Sequence, residues 1–282
     1  MAITRVGIVG SGIMGAGIAE VAAKSGHDVV LRSRKQETAD AMRAGLEKSL
    51  AKQVDKGRLS EEDRDAIVGR VTATHHIGDL ADCDLVIESV VEDLDVKKAL
   101  FAELDQIVKA GAILATNTST LPVVEMAVAT ERPDRVCGVH FFNPAPMMSL
   151  VEIIAPLTAS DETIEAVTAF ASACGKGPVE VKDRAGFIVN ALLFPYLNNA
   201  VKMLENQTAS RDHIDEAMKG GCNFPMGPLA LLDLVGLDTS LAILDALYDE
   251  FRDPNYAAAP ALRRMVAAGH LGRKSGRGFY EY

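Results

Sequence analysis

His140 closes the apolar run Val136–His140, and Glu152 interrupts the apolar run Leu150–Ile154. A carboxylate in the middle of a strand is costly to bury alone, so it needs a partner, and His140 is the natural one. A glutamate paired to an imidazole fixes its tautomer and stabilises its charged form. The other ring nitrogen is then left to exchange a proton with a substrate. A third polar segment, Thr116-Asn117-Thr118-Ser119-Thr120, follows the run that begins at Ala112. It reads either as a loop with a helix cap or as a row of hydrogen-bonding groups at the same edge of a sheet.

The other chemical signal comes first in the chain. Gly10-Ser11-Gly12-Ile13-Met14-Gly15 follows a short apolar run and opens an amphipathic one. In that setting Gly10 permits a tight turn, Gly12 lets the backbone approach a pyrophosphate, and Gly15 lets a helix pack closely on a strand. The helix start, at Ile13 and Met14, offers free N–H groups and partial positive charge to phosphates. The expectation is a bound dinucleotide. An acid about 20 residues on ordinarily holds the adenosine ribose hydroxyls, but here Asp28–Arg32 runs into Ser33-Arg34-Lys35. A carboxylate would repel a 2′-phosphate, whereas a small Ser beside Arg34 and Lys35 accommodates one. These residues therefore favour NADP over NAD, with NAD and a merely solvated basic turn as the alternative.

Strands and helices alternate through the first half of the chain. Val6–Val9, Asp28–Leu31, Val71–Thr74, Leu85–Glu88, Ala112–Thr116 and Val136–His140 read as strands, with helical periodicity over Ile13–Ser25, Thr38–Lys56, Asp95–Ala110 and Val123–Ala129. The pattern specifies an α/β fold, a doubly wound, mostly parallel Rossmann-type sheet whose functional groups lie beyond the strands' carboxyl ends. After Asp183–Gly186 the strand signal stops. Phe187–Glu205, Arg211–Lys219, Leu229–Leu234, Thr239–Phe251 and Ala261–Ala268 all read as helices. The expected organisation is a dinucleotide-binding domain over 1–184 and an all-helical domain over 185–282. Phe187–Leu197 is apolar around much of its circumference, and a second subunit would cover it, which makes a homodimer through the helical half the expected state.

Composition narrows the classes. Lys and Arg number 29 against 39 Asp and Glu among 282 residues, a net charge of −10. That balance argues against a nucleic-acid binder, whose affinity comes from neutralising phosphates. Cys83, Cys137, Cys174 and Cys222 are scattered without a CxxC and read as four buried thiols rather than a disulfide scaffold or metal site. No apolar stretch approaches the ~20 residues that span a bilayer, and the chain enters its first strand at once without a basic leader, so a cytoplasmic protein with no membrane role is expected.

Taken together, the glycine turn, Asn117-Thr118-Ser119, His140-Phe141-Phe142-Asn143-Pro144, Leu150-Val151-Glu152, Asp183–Asn190, Pro225-Met226-Gly227-Pro228 and Gly272–Tyr280 resemble the short-chain L-3-hydroxyacyl-CoA dehydrogenases, and within them the bacterial 3-hydroxybutyryl-CoA dehydrogenases. The similarity runs from about residue 3 to residue 282. It implies hydride transfer between a nicotinamide cofactor and C3 of an acyl-CoA. By the same resemblance His140 is the base, Glu152 its orienting carboxylate, and Ser119 and Asn190 the groups that hydrogen-bond the reacting oxygen. Glu92, Lys97, Asn117, Asn143 and Lys274 stand where the family meets the cofactor. Lys48, Lys52 and Lys56 recur every four residues on one helix face. By themselves they suit a solvated face; the resemblance makes Lys52 and Lys56 contacts of coenzyme A. Two other readings stay open: a dehydrogenase of free 3-hydroxy acids, and a non-catalytic NAD(P)-binding relative.

Overall fold

In the computed structural model, which describes residues 2–282, the β-branched runs pair into one eight-stranded sheet. The chain lays down β1 (Arg5–Val9), α1 (Ile13–Lys24), β2 (Asp28–Arg32), α2 (Gln36–Asp55), α3 (Glu61–Gly69) and β3 (Val71–Thr74). It continues through β4 (Leu85–Glu88), α4 (Leu94–Ile107), β5 (Ile113–Thr116), α5 (Val123–Ala127), β6 (Val136–Phe141), β7 (Leu150–Ala155), α6 (Asp161–Ala173) and β8 (Gly177–Lys182). The strand order is β3-β2-β1-β4-β5-β6-β7-β8. The first six strands run parallel, β7 pairs antiparallel with β6, and β8 runs parallel to β7. The chain winds outward from β1 through β2 and β3, then returns to begin again at β4. Between β1 and β4 the winding reverses, and there a crevice opens at the carboxyl ends of the strands.

The sequence reading missed α6 and β8. β8 is Gly177-Pro178-Val179-Glu180-Val181-Lys182, largely exposed and paired only with β7. As an edge strand it needs no apolar run, and an edge tolerates a proline that cannot donate to a ladder. α6 is an ordinary crossover helix, capped by Ser160, whose Oγ accepts the Thr163 N–H. Ser60 and Ser210 cap α3 and the helix at Arg211 in the same way, each worth about 1 kcal/mol.

A second compact unit begins at Arg184. It consists of α7 (Val189–Glu205), α8 (Arg211–Cys222), α9 (Pro228–Val235), α10 (Leu237–Phe251) and α11 (Pro260–Ala267). Its core is built on Phe194, Leu197, Leu229, Leu232 and Leu244. Two buried acids tie the tail to it. Asp215 accepts the Leu229 and Ala230 N–H groups at the start of α9 and the Tyr280 hydroxyl, while Asp233 accepts the Phe279 and Tyr280 N–H groups. The Pro225–Pro228 and Gly272–Tyr280 motifs are thus brought together as scaffold.

Cys83, Cys137 and Cys174 are buried, and burial pushes the Cys137 thiol up to about 12. Cys222 departs from the expectation of four buried thiols: it ends α8 on the exposed face. Among the described residues no helix is long and apolar enough to cross a membrane.

Candidate active site

β6 and β7 place the proton-handling pair by register. His140 lies directly opposite Glu152 in the antiparallel ladder, and residues so paired share a face. Cys137, Val139, Phe141, Val151 and Ile153 point to the other face and join the main core. The alternation of the two strands therefore leaves His140 and Glu152 together, both buried. His140 Nδ1 lies 2.7 Å from Glu152 Oε2. An ionised carboxylate only accepts, so Nδ1 carries the proton and donates it to Glu152. Nε2 is then the basic nitrogen. It faces the Ser119 hydroxyl, with 3.3 Å between Nε2 and Oγ. The Phe142 ring tilts against the imidazole with centroids 4.5 Å apart, which limits its rotation.

Ser119 comes from the loop after β5, the polar run that the sequence left ambiguous. Asn117 Oδ1 accepts the Phe141 N–H at 2.8 Å, tying this loop to the end of β6 and leaving the amide NH2 of Asn117 for other partners. Thr118 Oγ donates to Glu92 Oε1 at 2.5 Å, and the Ser119 N–H donates to the same oxygen at 2.9 Å. Glu92 keeps two-fifths of its side chain exposed. Lys97 is placed differently from a surface cation beside a ligand. It is fully enclosed, with its ammonium held by Glu88 and Glu92. Asn143 is exposed and precedes a cis peptide bond to Pro144.

The glycine turn lies at the β1/β4 reversal. Gly10 has φ +146°, and a Cβ there would meet the Ser89 carbonyl oxygen at 2.1 Å. At Gly15 a Cβ would lie 2.7 Å from the Gly10 carbonyl oxygen. Both glycines are demanded by the chain's own packing. Gly12 is different. Its backbone is ordinary extended conformation, and a Cβ on it would meet nothing within 4 Å among the described residues. The absent side chain there leaves room outside the protein. The start of α1 carries no side-chain cap and no acid in its first turn, and Ile13 is exposed. An open, uncapped, anion-attracting helix start fits a pyrophosphate.

Ser33 is buried just past β2, its N–H donating to Thr74 O at the end of β3, and Arg34 and Lys35 beside it are exposed. The sheet adds a neighbour that the sequence reading overlooked. His75 and His76 follow Thr74 directly, their rings 3.7 Å apart, with His75 Nδ1 2.9 Å from Gln36 Oε1. Two consecutive histidines at a strand end were the available signal.

Lys52, in the last turn of α2, and Lys56, just beyond its end, are exposed. Where α2 meets α3, a cavity of about 550 Å³ is lined instead by Lys48 and Arg64, with Glu47 and Asp65. Arg64 had no signal of its own, since it sits among four acids. In the helical unit Asn190 is buried near the start of α7, and Lys274 is ion-paired with Asp238 at 2.6 Å.

Comparison with known proteins identifies the family. The profile of the 3-hydroxyacyl-CoA dehydrogenase NAD binding domain matches residues 5–184, and that of the 3-hydroxyacyl-CoA dehydrogenase C-terminal domain matches residues 186–282. The chain is 48% identical over 278 residues to a 3-hydroxybutyryl-CoA dehydrogenase of Clostridioides difficile, covering 99% of each chain. It is 43% identical over 288 residues to the human mitochondrial hydroxyacyl-coenzyme A dehydrogenase, covering 99% of this chain and 91% of that protein. The crystal structure of (S)-3-hydroxybutyryl-CoA dehydrogenase from Ralstonia eutropha superposes with a TM-score of 0.97 at 44% identity, over 100% of this chain and 99% of the other. A nicotinamide-binding sheet with a histidine–carboxylate pair at its edge, matched over both halves to these enzymes, places the chain in the 3-hydroxyacyl-CoA dehydrogenase family of oxidoreductases.

Proposed function

We propose that the protein interconverts 3-hydroxybutyryl-CoA, or a similarly short 3-hydroxyacyl-CoA, and acetoacetyl-CoA. The observation that carries this reading is the Glu152–His140–Ser119 array at the carboxyl edge of a sheet whose glycine turn suits a dinucleotide. A nicotinamide dinucleotide held at the Gly10–Gly15 turn would supply the hydride chemistry at C3. The remaining work belongs to side chains. His140 Nε2 takes the C3 hydroxyl proton as hydride leaves, and returns it in the reverse direction. Glu152 keeps Nδ1 protonated and stabilises the imidazolium that forms. Ser119 Oγ aligns the C3 oxygen, and we assign Asn190 of the helical unit to the same substrate. A cofactor-absorbance assay with acetoacetyl-CoA tests the reading against the free acid acetoacetate. Turnover of the free acid alone would assign the enzyme to free 3-hydroxy acids, and no turnover of either would leave a non-catalytic relative.

The cofactor is NADP in preference to NAD on this reading. A small side chain at Ser33 and the two imidazoles of His75 and His76 at the neighbouring strand end provide hydrogen bonds, and the exposed cations Arg34 and Lys35 provide positive charge, with no carboxylate within Ser33–Lys35. Replacing Ser33 with Asp supplies the ribose-binding acid and repels a 2′-phosphate. The ratio of kcat/KM for NADPH over NADH should fall at least about tenfold, equivalent to roughly 1.4 kcal/mol. A wild-type enzyme that already prefers NADH by a wide margin would refute the assignment.

For coenzyme A, the cations at the α2/α3 hairpin, Lys48 and Arg64 at the cavity with Lys52 in the last turn of α2 and Lys56 just beyond it, are the phosphate-binding groups in this reading. The working unit is a homodimer through the helical half. Leu192 and Met203 are exposed three turns apart on one stripe of α7, and Phe224 is exposed edge-on to Tyr196, whose hydroxyl is buried without a partner among the described residues. Such a patch calls for cover. Leu192→Asp should convert a dimer to a monomer in sedimentation equilibrium, and a wild-type protein that sediments as a monomer would exclude this interface.

A further inference from the structure

Gly175, at φ +69°, ends α6 in the left-handed conformation that favours glycine, and the Lys176 N–H reaches back to Ala171 O at 3.0 Å. This Schellman ending turns the chain onto the sheet. The Gly177 N–H donates to Ser149 O at 2.7 Å and opens β8 beside β7. Lys176 Nζ in turn donates to two carbonyl oxygens of the Phe142–Ser149 connection, Ala145 O at 2.7 Å and Met148 O at 2.8 Å. That connection also turns on itself, with the Met147 and Met148 N–H groups both donating to Pro144 O. Its other side rests on α1, where a Cβ on Gly17 would lie 3.2 Å from Ala145 Cβ and 3.3 Å from Pro146 Cδ. Ala145 is accordingly buried, while Asn143 and Met147 to either side of it are exposed.

We propose that Lys176 is a positioning residue for the cofactor: by gripping Ala145 and Met148 it holds the β6–β7 connection against Gly17 of α1, and so fixes Asn143 relative to the dinucleotide-binding helix. Carbonyls in such a segment have no ladder to join and need donors from elsewhere. A charged donor makes the stronger hydrogen bond, and one ammonium shared by two carbonyls three residues apart leaves the segment few other shapes. The β6–β7 ladder sets His140 opposite Glu152 without Lys176, so the lysine governs what the connection carries rather than the proton-handling pair. The proposal rests on the reading of Asn143 as a group that meets the nicotinamide dinucleotide, and in this role Lys176 acts through Asn143.

Hydrogen exchange and a double-mutant cycle test it. In Lys176→Met the Met147 and Met148 amides should exchange at least about tenfold faster, while those of Val139 and Ile153 within the β6–β7 ladder keep their wild-type rates. The dissociation constant of the reduced cofactor, followed by fluorescence, should rise about fivefold, the scale of one ordinary hydrogen bond. Asn143→Ala should weaken the cofactor by a similar factor. Adding Lys176→Met to Asn143→Ala should then weaken it by less than about twofold more, because both changes act through one contact. Unchanged exchange at Met147 and Met148 would overturn the proposal. So would a Lys176→Met effect on the cofactor that is equally large with and without the Asn143 side chain. If Lys176→Met does not fold, Lys176→Gln, too short to hold both oxygens, takes its place in the cycle. Wild-type cofactor affinity in Asn143→Ala would overturn the reading of Asn143 and this role with it. Protein that binds the cofactor in the expected pattern but turns over neither acetoacetyl-CoA nor acetoacetate would fail the functional reading alone and leave the role of Lys176 standing.

Discussion

Replacing His140 with Gln lowers kcat by about 10²–10⁴-fold, the range removed with a general acid–base, and leaves the dissociation constant of the nicotinamide cofactor nearly unchanged. The glutamine amide fills most of the imidazole's volume beside Phe142 and still donates to Glu152, so the fold has little reason to respond. What it lacks is a nitrogen that both accepts and releases a proton. The structure separates these two duties by atom: Nδ1 is held by Glu152 at 2.7 Å, and Nε2 is turned to the Ser119 hydroxyl. Because Ser119 stands on the Nε2 side, the loss should appear in kcat and kcat/KM together, the mark of an interaction made in the transition state. Glutamine turnover within a few-fold of wild type would remove His140 from the reaction.

That pair was legible from the sequence because each member is anomalous where it stands. A glutamate inside Leu-Val-Glu-Ile-Ile and a histidine ending Val-Cys-Gly-Val-His violate the apolar pattern of buried strands, and such violations mark places where something other than packing is selected. Which rungs the two occupy was not legible, since register depends on how β6 and β7 align across the Phe142–Ser149 connection. The Glu88–Lys97 pair shows the opposite case. Lys97 lies in Asp-Leu-Asp-Val-Lys-Lys, a stretch that reads as solvated helix, and only the packing of α4 on β4 and β5 decides that Lys97 is enclosed while Lys98 stays at the surface beside Glu125. β8 escaped for a related reason. Its Pro, Glu and Lys residues suit an exposed sheet edge, where the apolar signal used to find strands is not required. Sequence patterns report what must be buried, whereas the details of this site depend on polar groups whose burial is settled by their neighbours.

The glycine turn gives the sharpest separation between fold and ligand. Gly10→Ala forces a side chain into a positive-φ conformation and against the Ser89 carbonyl, where the Cβ would lie 2.1 Å from the oxygen. Backbone strain and overlap of this kind cost about 3 kcal/mol or more. For a unit of this size that lowers the melting temperature by roughly 6–12 °C. Gly12→Val should do almost the reverse. Its extended backbone accepts any residue, and apart from its chain neighbours no atom of the described residues lies within 4 Å of the new Cβ. Stability should therefore change by no more than about 1 kcal/mol, the scale of a helix-cap preference. The valine methyl groups instead occupy the space through which a pyrophosphate meets the start of α1, and dinucleotide affinity should fall at least about tenfold, or roughly 1.4 kcal/mol. Thermal melts without ligand and equilibrium cofactor titrations, made on both variants, read the two effects independently. A Gly12→Val protein that melts like wild type and binds NADPH and NADH as tightly would move the dinucleotide away from this turn. A Gly10→Ala protein of undiminished stability would mean that β1 and β4 part more easily than their packing implies.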